Sequence, residues 1–289
     1  MRTEQEMFDL ILNTAKEDER IRAVYMNGSR TNRNAPKDIF QDYDIVYVVT
    51  DIHSFINDKT WIDRFGERLF MQYPDESPYY PADKDNSYGY LMQFADGSRI
   101  DLTVKSIPHA RETILDDSLC EILLDKDALL PAIPESTDKD YHVQKPTLEQ
   151  YLCTCNEFWW CLNNVAKGLW RKEIPYVQDM LNFPVRKQLE KMLAWKVGIL
   201  TDFGVSVGKS GKYMYKWLST QEWDAYLETY PAGSVNAIWI STEKMCRLFE
   251  DTALWVGNKL GYAYNHEEGR NCQEYLLRVQ NLPEDAVCL

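Results

Sequence analysis

The hydrophobic pattern of the chain changes between residues 131 and 140, and this change constrains the fold more than any other feature. Before it, apolar runs of strand length alternate with turn residues, whereas after it apolar residues recur at helical spacing. The segment itself contains Pro131, Pro134 and a polar run, which offer turns and little to bury. The sequence therefore predicts an α+β fold, with a mixed sheet and helices in residues 1–133 and a helical bundle in residues 134–289.

Turn and capping residues locate the individual elements. The Asp-Gly pair at 96–97 is typical of a hairpin turn, and Thr147 and Ser219 each begin a capping box at the start of a helix. Pro184 is interpreted as lying in the first turn of a further helix, and Gly261 as ending the last one. The predicted elements are a helix over 4–16, strands over 21–26, 44–50, 67–72, 88–95, 99–105 and 121–124, and helices that begin near residues 148, 184, 220 and 238.

Composition indicates a folded protein with reduced thiols. Hydrophobic residues make up 45% of the 289 residues and aromatic residues 13%, which is typical of a well-packed globular chain. The seven cysteines form no C-x-x-C pair and the four histidines form no ligand motif, so neither a disulfide framework nor a zinc site is expected. No apolar run approaches the ~20 residues of a membrane helix, and no signal-peptide pattern is present. We therefore expect a cytoplasmic protein with no membrane partner.

The net charge of -13 constrains the partners. A protein that grips nucleic acid neutralises phosphates with Lys and Arg, so an acidic chain with no basic block is not expected to bind RNA or DNA. An acidic surface instead attracts cations, which suits a small polycationic substrate. The same charge is also typical of proteins that are simply soluble.

Three aspartates form the strongest candidate site. Asp42 and Asp44 stand two residues apart at the head of an apolar strand, where their side chains project from the same face. Asp101 lies between apolar neighbours in the second strand of the predicted hairpin, where an unpaired charge is costly. If the two strands are neighbours, the carboxylates can share divalent cations, with Asp101 as a metal ligand, a general base or both. The alternative interpretation is a solvated turn and an outward-facing Asp101.

A small turn between the first strand and these aspartates is a candidate phosphate site. Gly28 allows close approach of the backbone, and successive N–H groups with the Ser29 hydroxyl can form an anion-binding concavity. Arg30 and Arg33 can add charge-assisted contacts. Such turns are common in proteins, so the evidence that this turn binds phosphate is its position shortly before Asp42.

The order of these motifs resembles the nucleotidyltransferase superfamily, in which a Gly-Ser turn, an Asp-x-Asp pair and a later lone Asp follow one another. Longer strings resemble the aminoglycoside 6-adenylyltransferases, a family that modifies streptomycin. These strings are Gly-Ser-Arg-Thr-Asn-Arg-Asn at 28–34, Phe-Gln-Asp-Tyr-Asp-Ile at 40–45, Leu-Leu-Asp-Lys-Asp at 123–127 and Cys-Asn-Glu-Phe-Trp at 155–159. The similarity extends to Trp195, Gly208-Lys209-Ser210 and Tyr262-Ala263-Tyr264, so it covers nearly the whole chain.

The resemblance implies an N-terminal nucleotidyltransferase-like catalytic domain and a C-terminal helical substrate-binding domain. It implies transfer of AMP from ATP to the 6-hydroxyl of streptomycin, which gives antibiotic resistance. It also implies Mg²⁺, with two ions expected, held by Asp42, Asp44 and Asp101, the last being the catalytic carboxylate as well. The residues implied to contact the nucleotide are Gly28, Ser29, Arg30 and Lys212.

The acceptor site is less determined. The two guanidinium groups of the streptidine ring call for carboxylates and aromatic faces, and Glu157 on the first helix of the second domain is the leading candidate to bind them. Glu157 is also an alternative to Asp101 as the general base. Two other functions stay open: the same chemistry on a protein side chain or an RNA end, and a catalytically silent nucleotide-binding protein.

Overall fold

The computed structural model describes all 289 residues, which form two compact units, Met1–Asp140 and Tyr141–Leu289. The first unit is a mixed sheet with helices and the second is helical, so the predicted α+β class is confirmed. The division falls slightly beyond the predicted boundary, because residues 134–140 are tied back to the first unit. The Thr137 N–H, for example, donates a hydrogen bond of 3.1 Å to the Ser118 carbonyl oxygen.

The first unit contains every strand that the sequence predicts. Its elements are helix α1 (Glu4–Glu17), strands β1 (Ile21–Asn27) and β2 (Tyr43–Val49), helix α2 (His53–Ile56), strands β3 (Arg68–Gln72), β4 (Ser87–Phe94) and β5 (Arg99–Ser106), helix α3 (Ile107–Thr113) and strand β6 (Cys120–Asp125). The strand order is β3-β4-β5-β2-β1-β6. Strands β2 and β5 are parallel, and the other neighbours are antiparallel. The parallel pair therefore lies in the middle of the sheet.

The two faces of this sheet are covered differently. One face carries the larger core, which includes Tyr47 and packs against α1 and the turns that follow α2. The other face has a small apolar cluster around Val46 and Val48, covered by Ala110 of α3. Because alternate residues of a strand project from the same face, Asp44 lies on this second face, next to the small cluster.

Six helices build the second unit. They are α4 (Leu148–Trp170), α5 (Ile174–Met180), α6 (Arg186–Leu200), α7 (Thr220–Leu227), α8 (Val235–Leu260) and α9 (His266–Gln280). Capping boxes at Thr147 and Ser219 begin α4 and α7, and Gly261, with a φ of +74°, ends α8, which confirms those predictions. Phe158 of α4 stacks on Phe249 of α8 within the core, with ring centroids 3.7 Å apart. None of the helices is both long and apolar enough to cross a membrane.

Pro184 does not begin a helix, so the prediction made for it is wrong. The helix begins at Ile174, and Pro184 lies in a π-helical turn, Leu181–Val185, that joins α5 to α6. Proline has no N–H to donate and its ring crowds the preceding turn of an α-helix, whereas a wider π turn accommodates it. Burial favours the continuous helix, since Leu181 and Val185 at the two ends of this turn are completely buried in the core.

Candidate active site

The register of the parallel strands brings the predicted carboxylates together. Asp44 of β2 stands directly beside Asp101 of β5, and Asp42 lies two residues before Asp44, just ahead of the strand. On the other side, Asn27 at the end of β1 is the register partner of Asp44. The three carboxylates and one amide therefore share the partly covered face of the sheet.

Burial and the repulsion between neighbouring carboxylates disfavour the ionised forms of Asp44 and Asp42. Burial, together with the negative charges of Asp101 and Asp42, raises the pKa of Asp44 to about 6. The pKa of Asp42 is also raised, mainly by burial, although the Arg99 guanidinium opposes the shift. A cation bound among these groups would favour the ionised forms and relieve the repulsion.

Arg99 belongs to this site, although the sequence reasoning missed it. Its guanidinium donates two hydrogen bonds of 2.7 Å, one to each carboxylate oxygen of Asp101, and its Nη1 lies 3.4 Å from Oδ2 of Asp42. The signal was present, because Arg99 and Asp101 are two residues apart in one strand and share a face. In this structure no group of three or more His, Cys, Asp or Glu side chains is arranged as a metal site.

Gly28 occupies a position that no other residue fits. Its backbone φ is +77°, and a Cβ atom built on it would lie only 2.1 Å from Oδ2 of Asp44. The turn Gly28–Arg30 therefore packs directly against a candidate catalytic carboxylate. In this turn the Gly28 N–H already donates to the Leu119 carbonyl oxygen at 3.2 Å, whereas the Ser29 hydroxyl has no hydrogen-bond partner.

Arg30 holds the backbone that leads into β2. Its guanidinium donates to the carbonyl oxygens of Gln41 and Asp42, at 2.8 and 2.9 Å, and lies 3.7 Å above the centroid of the Tyr43 ring. These contacts fix the position of Asp42. The contact between Arg30 and a nucleotide phosphate that the resemblance implies stays a prediction.

Comparison with known proteins is decisive for the family. Residues 1–279 match the family model described as streptomycin adenylyltransferase. The chain belongs to this family. It is therefore an adenylyltransferase, and the predicted family and enzyme class are confirmed.

Three curated relatives of this adenylyltransferase are named aminoglycoside 6-adenylyltransferase. The protein of Campylobacter jejuni is 43% identical over 91% of this chain and 91% of its own length. The proteins of Bacillus subtilis (strain 168) and Staphylococcus aureus are 40% and 34% identical, over 93% and 97% of this chain and 95% and 97% of their own. A crystal structure of an aminoglycoside 6-adenyltransferase from Bacillus subtilis is 33% identical and covers 98% of this chain and 100% of that chain, with a TM-score of 0.48.

The other two predicted site residues of the adenylyltransferase belong to its second unit and are exposed. Lys212 lies in the loop between α6 and α7, where its ammonium and that of Lys216 lie 5.0 and 4.6 Å from the centroid of the Tyr213 ring. Glu157 lies on the exposed side of α4, one turn before the exposed Trp160. Neither Lys212 nor Glu157 has an ion-pair partner, so both charges are available to a ligand.

A cavity of about 610 Å³ in the second unit of the adenylyltransferase is lined by α6, α7 and α8. Its charged lining consists of three acids and three bases, namely Glu222, Glu228, Asp251, Lys196, Lys244 and Arg247. Lys196 pairs with Glu222 and Lys244 with Glu228, whereas Asp251 has no ion-pair partner. The sequence reasoning missed this cavity because its walls come from three helices, and only their packing encloses it.

Proposed function

We propose that this adenylyltransferase transfers AMP from ATP to a hydroxyl of an aminoglycoside, most specifically the 6-hydroxyl of streptomycin, and thereby gives resistance to the antibiotic. The observation that carries the proposal is the juxtaposition of Asp42, Asp44 and Asp101 beside the turn at Gly28. Carboxylates that bind cations next to a small-residue turn suit the transfer of a negatively charged nucleotidyl group. The acceptor class is proposed from the names of the relatives, which are aminoglycoside 6-adenylyltransferases.

The chemistry of the donor atoms beside Asp44 suits a divalent cation. All the candidate donors are oxygen atoms, which suit Mg²⁺, and Asn27 Oδ1 at the register position beside Asp44 is buried without a hydrogen-bond partner. Asp42 and Asp44, together with Asp101, would hold the cation, and we expect two ions. When bound, Mg²⁺ supplies positive charge that stabilises the triphosphate and the leaving pyrophosphate.

The residues of this chain orient the reactants and accept the proton. The oxygen of the acceptor hydroxyl forms a bond to the α-phosphorus of ATP while the bond from that phosphorus to the bridging oxygen breaks and pyrophosphate leaves. Asp101 takes the proton of the hydroxyl, and Glu157 is the alternative base. The Ser29 hydroxyl donates to a phosphate oxygen, and Lys212 adds positive charge. Arg30 keeps the Asp42 carboxylate in position through the backbone.

Features of the second unit support a cationic acceptor. Glu157 and the exposed Trp160 offer a carboxylate and an aromatic face, the two groups that bind guanidinium ions well. Asp251, in the cavity between α6, α7 and α8, is a second carboxylate without an ion-pair partner. The net charge of -13 attracts a polycation toward the surface as a whole.

Pyrophosphate release tests the proposal. The protein incubated with ATP, MgCl₂ and streptomycin should release pyrophosphate at a rate that saturates with streptomycin, and mass spectrometry should detect adenylylated streptomycin. The same reaction with the variant Asp44→Asn is the blank. Pyrophosphate release that does not depend on any aminoglycoside would refute the proposed acceptor class. Equal rates with an aminoglycoside that lacks the streptidine ring would refute the specificity for streptomycin. A full rate in the presence of EDTA would refute the requirement for Mg²⁺.

A further inference from the structure

Arg99 lies where it bridges two of the proposed catalytic carboxylates. It engages both oxygens of Asp101 and approaches Oδ2 of Asp42 at 3.4 Å. Its side chain is 41% exposed, compared with 19% for Asp101, so the arginine is the more open partner of the pair. The half-exposed guanidinium can therefore be reached by a ligand from solvent, whereas Asp101 is held within β5.

The guanidinium lies against oxygen atoms that the proposed function assigns to a divalent cation. Both oxygens of Asp101 are engaged by Arg99, so a cation held by Asp42, Asp44 and Asp101 would share these oxygen atoms with a positively charged group that repels it. We infer that Arg99 is a positioning residue that holds Asp101 and Asp42 until nucleotide binds, and thereby makes cation binding depend on nucleotide. This inference rests on the proposed function, which assigns the cation to these carboxylates.

The triphosphate supplies the partner that releases Arg99. Arginine forms bidentate hydrogen bonds to phosphate as readily as to carboxylate, so nucleotide can take the guanidinium while the carboxylates take the cation. Without nucleotide, the positive charge of Arg99 repels the cation, and the guanidinium lies against the carboxylate oxygens that would bind it. The two binding events are therefore coupled, and thermodynamic linkage requires the coupling to be reciprocal.

Manganese binding without turnover tests the inference. Free Mn²⁺ is measured by electron paramagnetic resonance in titrations of the whole protein, with and without the ATP analogue that has a methylene bridge between the α- and β-phosphates. The variants are Arg99→Met, Arg99→Lys and Asp44→Asn. Arg22→Met is the matched control, because Arg22 also donates two hydrogen bonds, of 2.6 and 2.7 Å, to a single aspartate, Asp127, outside the site.

Arg99→Met should bind Mn²⁺ about three- to tenfold more tightly than the wild type in the absence of nucleotide. The analogue should tighten Mn²⁺ binding about tenfold or more in the wild type and clearly less in Arg99→Met, with Arg99→Lys between them. Arg22→Met should match the wild type in both titrations. Melting curves of each variant verify that it is folded, and a purely structural role for Arg99 would not change the coupling.

The outcomes separate this inference from the function on which it rests. Equal Mn²⁺ affinity and equal coupling in the wild type, Arg99→Met and Arg22→Met, with binding lost in Asp44→Asn, would refute the role of Arg99 and leave the cation site intact. If none of the proteins binds Mn²⁺ with or without the analogue, both the cation site and the role of Arg99 are refuted.

Discussion

The two regions in which this enzyme is proposed to bind its reactants are built in different ways. Around Asp44, neighbouring strands fix the carboxylates relative to one another, and burial raises the pKa of Asp44 to about 6. Glu157, by contrast, lies on the exposed side of one helix. A preorganised and partly desolvated group controls the rate of the chemical step, whereas an exposed charge mainly affects how tightly the acceptor is held. We therefore expect the sheet region to be intolerant of substitution and the helix region to be tolerant.

The largest effect is expected from Asp44→Asn. The variant removes a carboxylate oxygen that the proposed cation needs, so kcat for pyrophosphate release should fall by at least about a thousandfold. Asp127→Asn is the control, because it removes a carboxylate of the same unit that pairs with Arg22 outside the site. If kcat of Asp44→Asn fell by less than tenfold, Asp44 would have no essential role in the reaction, and the expected difference between the sheet region and the helix region would be refuted.

Gly28→Ala should have the next largest effect. The new methyl group would overlap Oδ2 of Asp44, so we expect kcat to fall about a hundredfold as the carboxylate shifts. Gly261→Ala separates this displacement from backbone strain, because Gly261 has a similar positive φ and no atom within 4 Å of a Cβ built there. We expect Gly261→Ala to lose about 1 kcal/mol of stability and keep its activity. Equal activities of the two variants would show that the contact with Asp44 is unimportant.

The ionised Asp44 is also expected to destabilise the fold at neutral pH. Its pKa is about 6 in the folded protein and about 3.9 in an unfolded chain, so the folded state binds the proton more tightly. Stability from this group is therefore fully present below about pH 4 and is lost as the pH rises through 6. In urea titrations with EDTA, Asp44→Asn should be about 1–3 kcal/mol more stable than the wild type at pH 7.5.

The gain in stability of Asp44→Asn should shrink when the same titrations are run at pH 4.5, because the wild-type carboxyl is then largely protonated in the folded state. Asp127→Asn again serves as the control, because Asp127 is paired with Arg22 outside the site. A gain that is the same at both pH values would mean that burial of the Asp44 charge does not cost stability.

The smallest effect is expected from Glu157→Gln. Loss of one exposed charge should raise KM for streptomycin about three- to tenfold and leave kcat nearly unchanged. Asp251→Asn, measured in parallel, compares the exposed surface of α4 with the cavity of the second unit. A fall in kcat as large as that of Asp44→Asn would instead identify Glu157 as the general base and would make the two regions equally critical.

Local signals explain why so much of the first unit was predictable. The Asp-Gly turn at 96–97 sets the pairing of β4 with β5, and the apolar runs define all six strands. Helix α9 was missed because it is mostly polar: only Gly269, Leu276 and Val279 are buried among its fifteen residues. The prediction for Pro184 was wrong because a proline in the first turn of a helix and a proline in a π turn have the same local sequence signal.

By itself, the sequence determined the types of element, the caps, and the residue types that carry the chemistry, namely the Gly-Ser turn and three aspartates. Those signals depend on one to four neighbouring residues, so they can be recognised in the sequence without knowledge of the packing. Only the tertiary structure decided that Asp44 and Asp101 are side by side, that Arg99 bridges two carboxylates, and that Gly28 contacts Asp44. Apart from the local pair of Arg99 with Asp101, these contacts join residues distant in the chain, and they exist only because the sheet sets the register of β2 against β5 and β1.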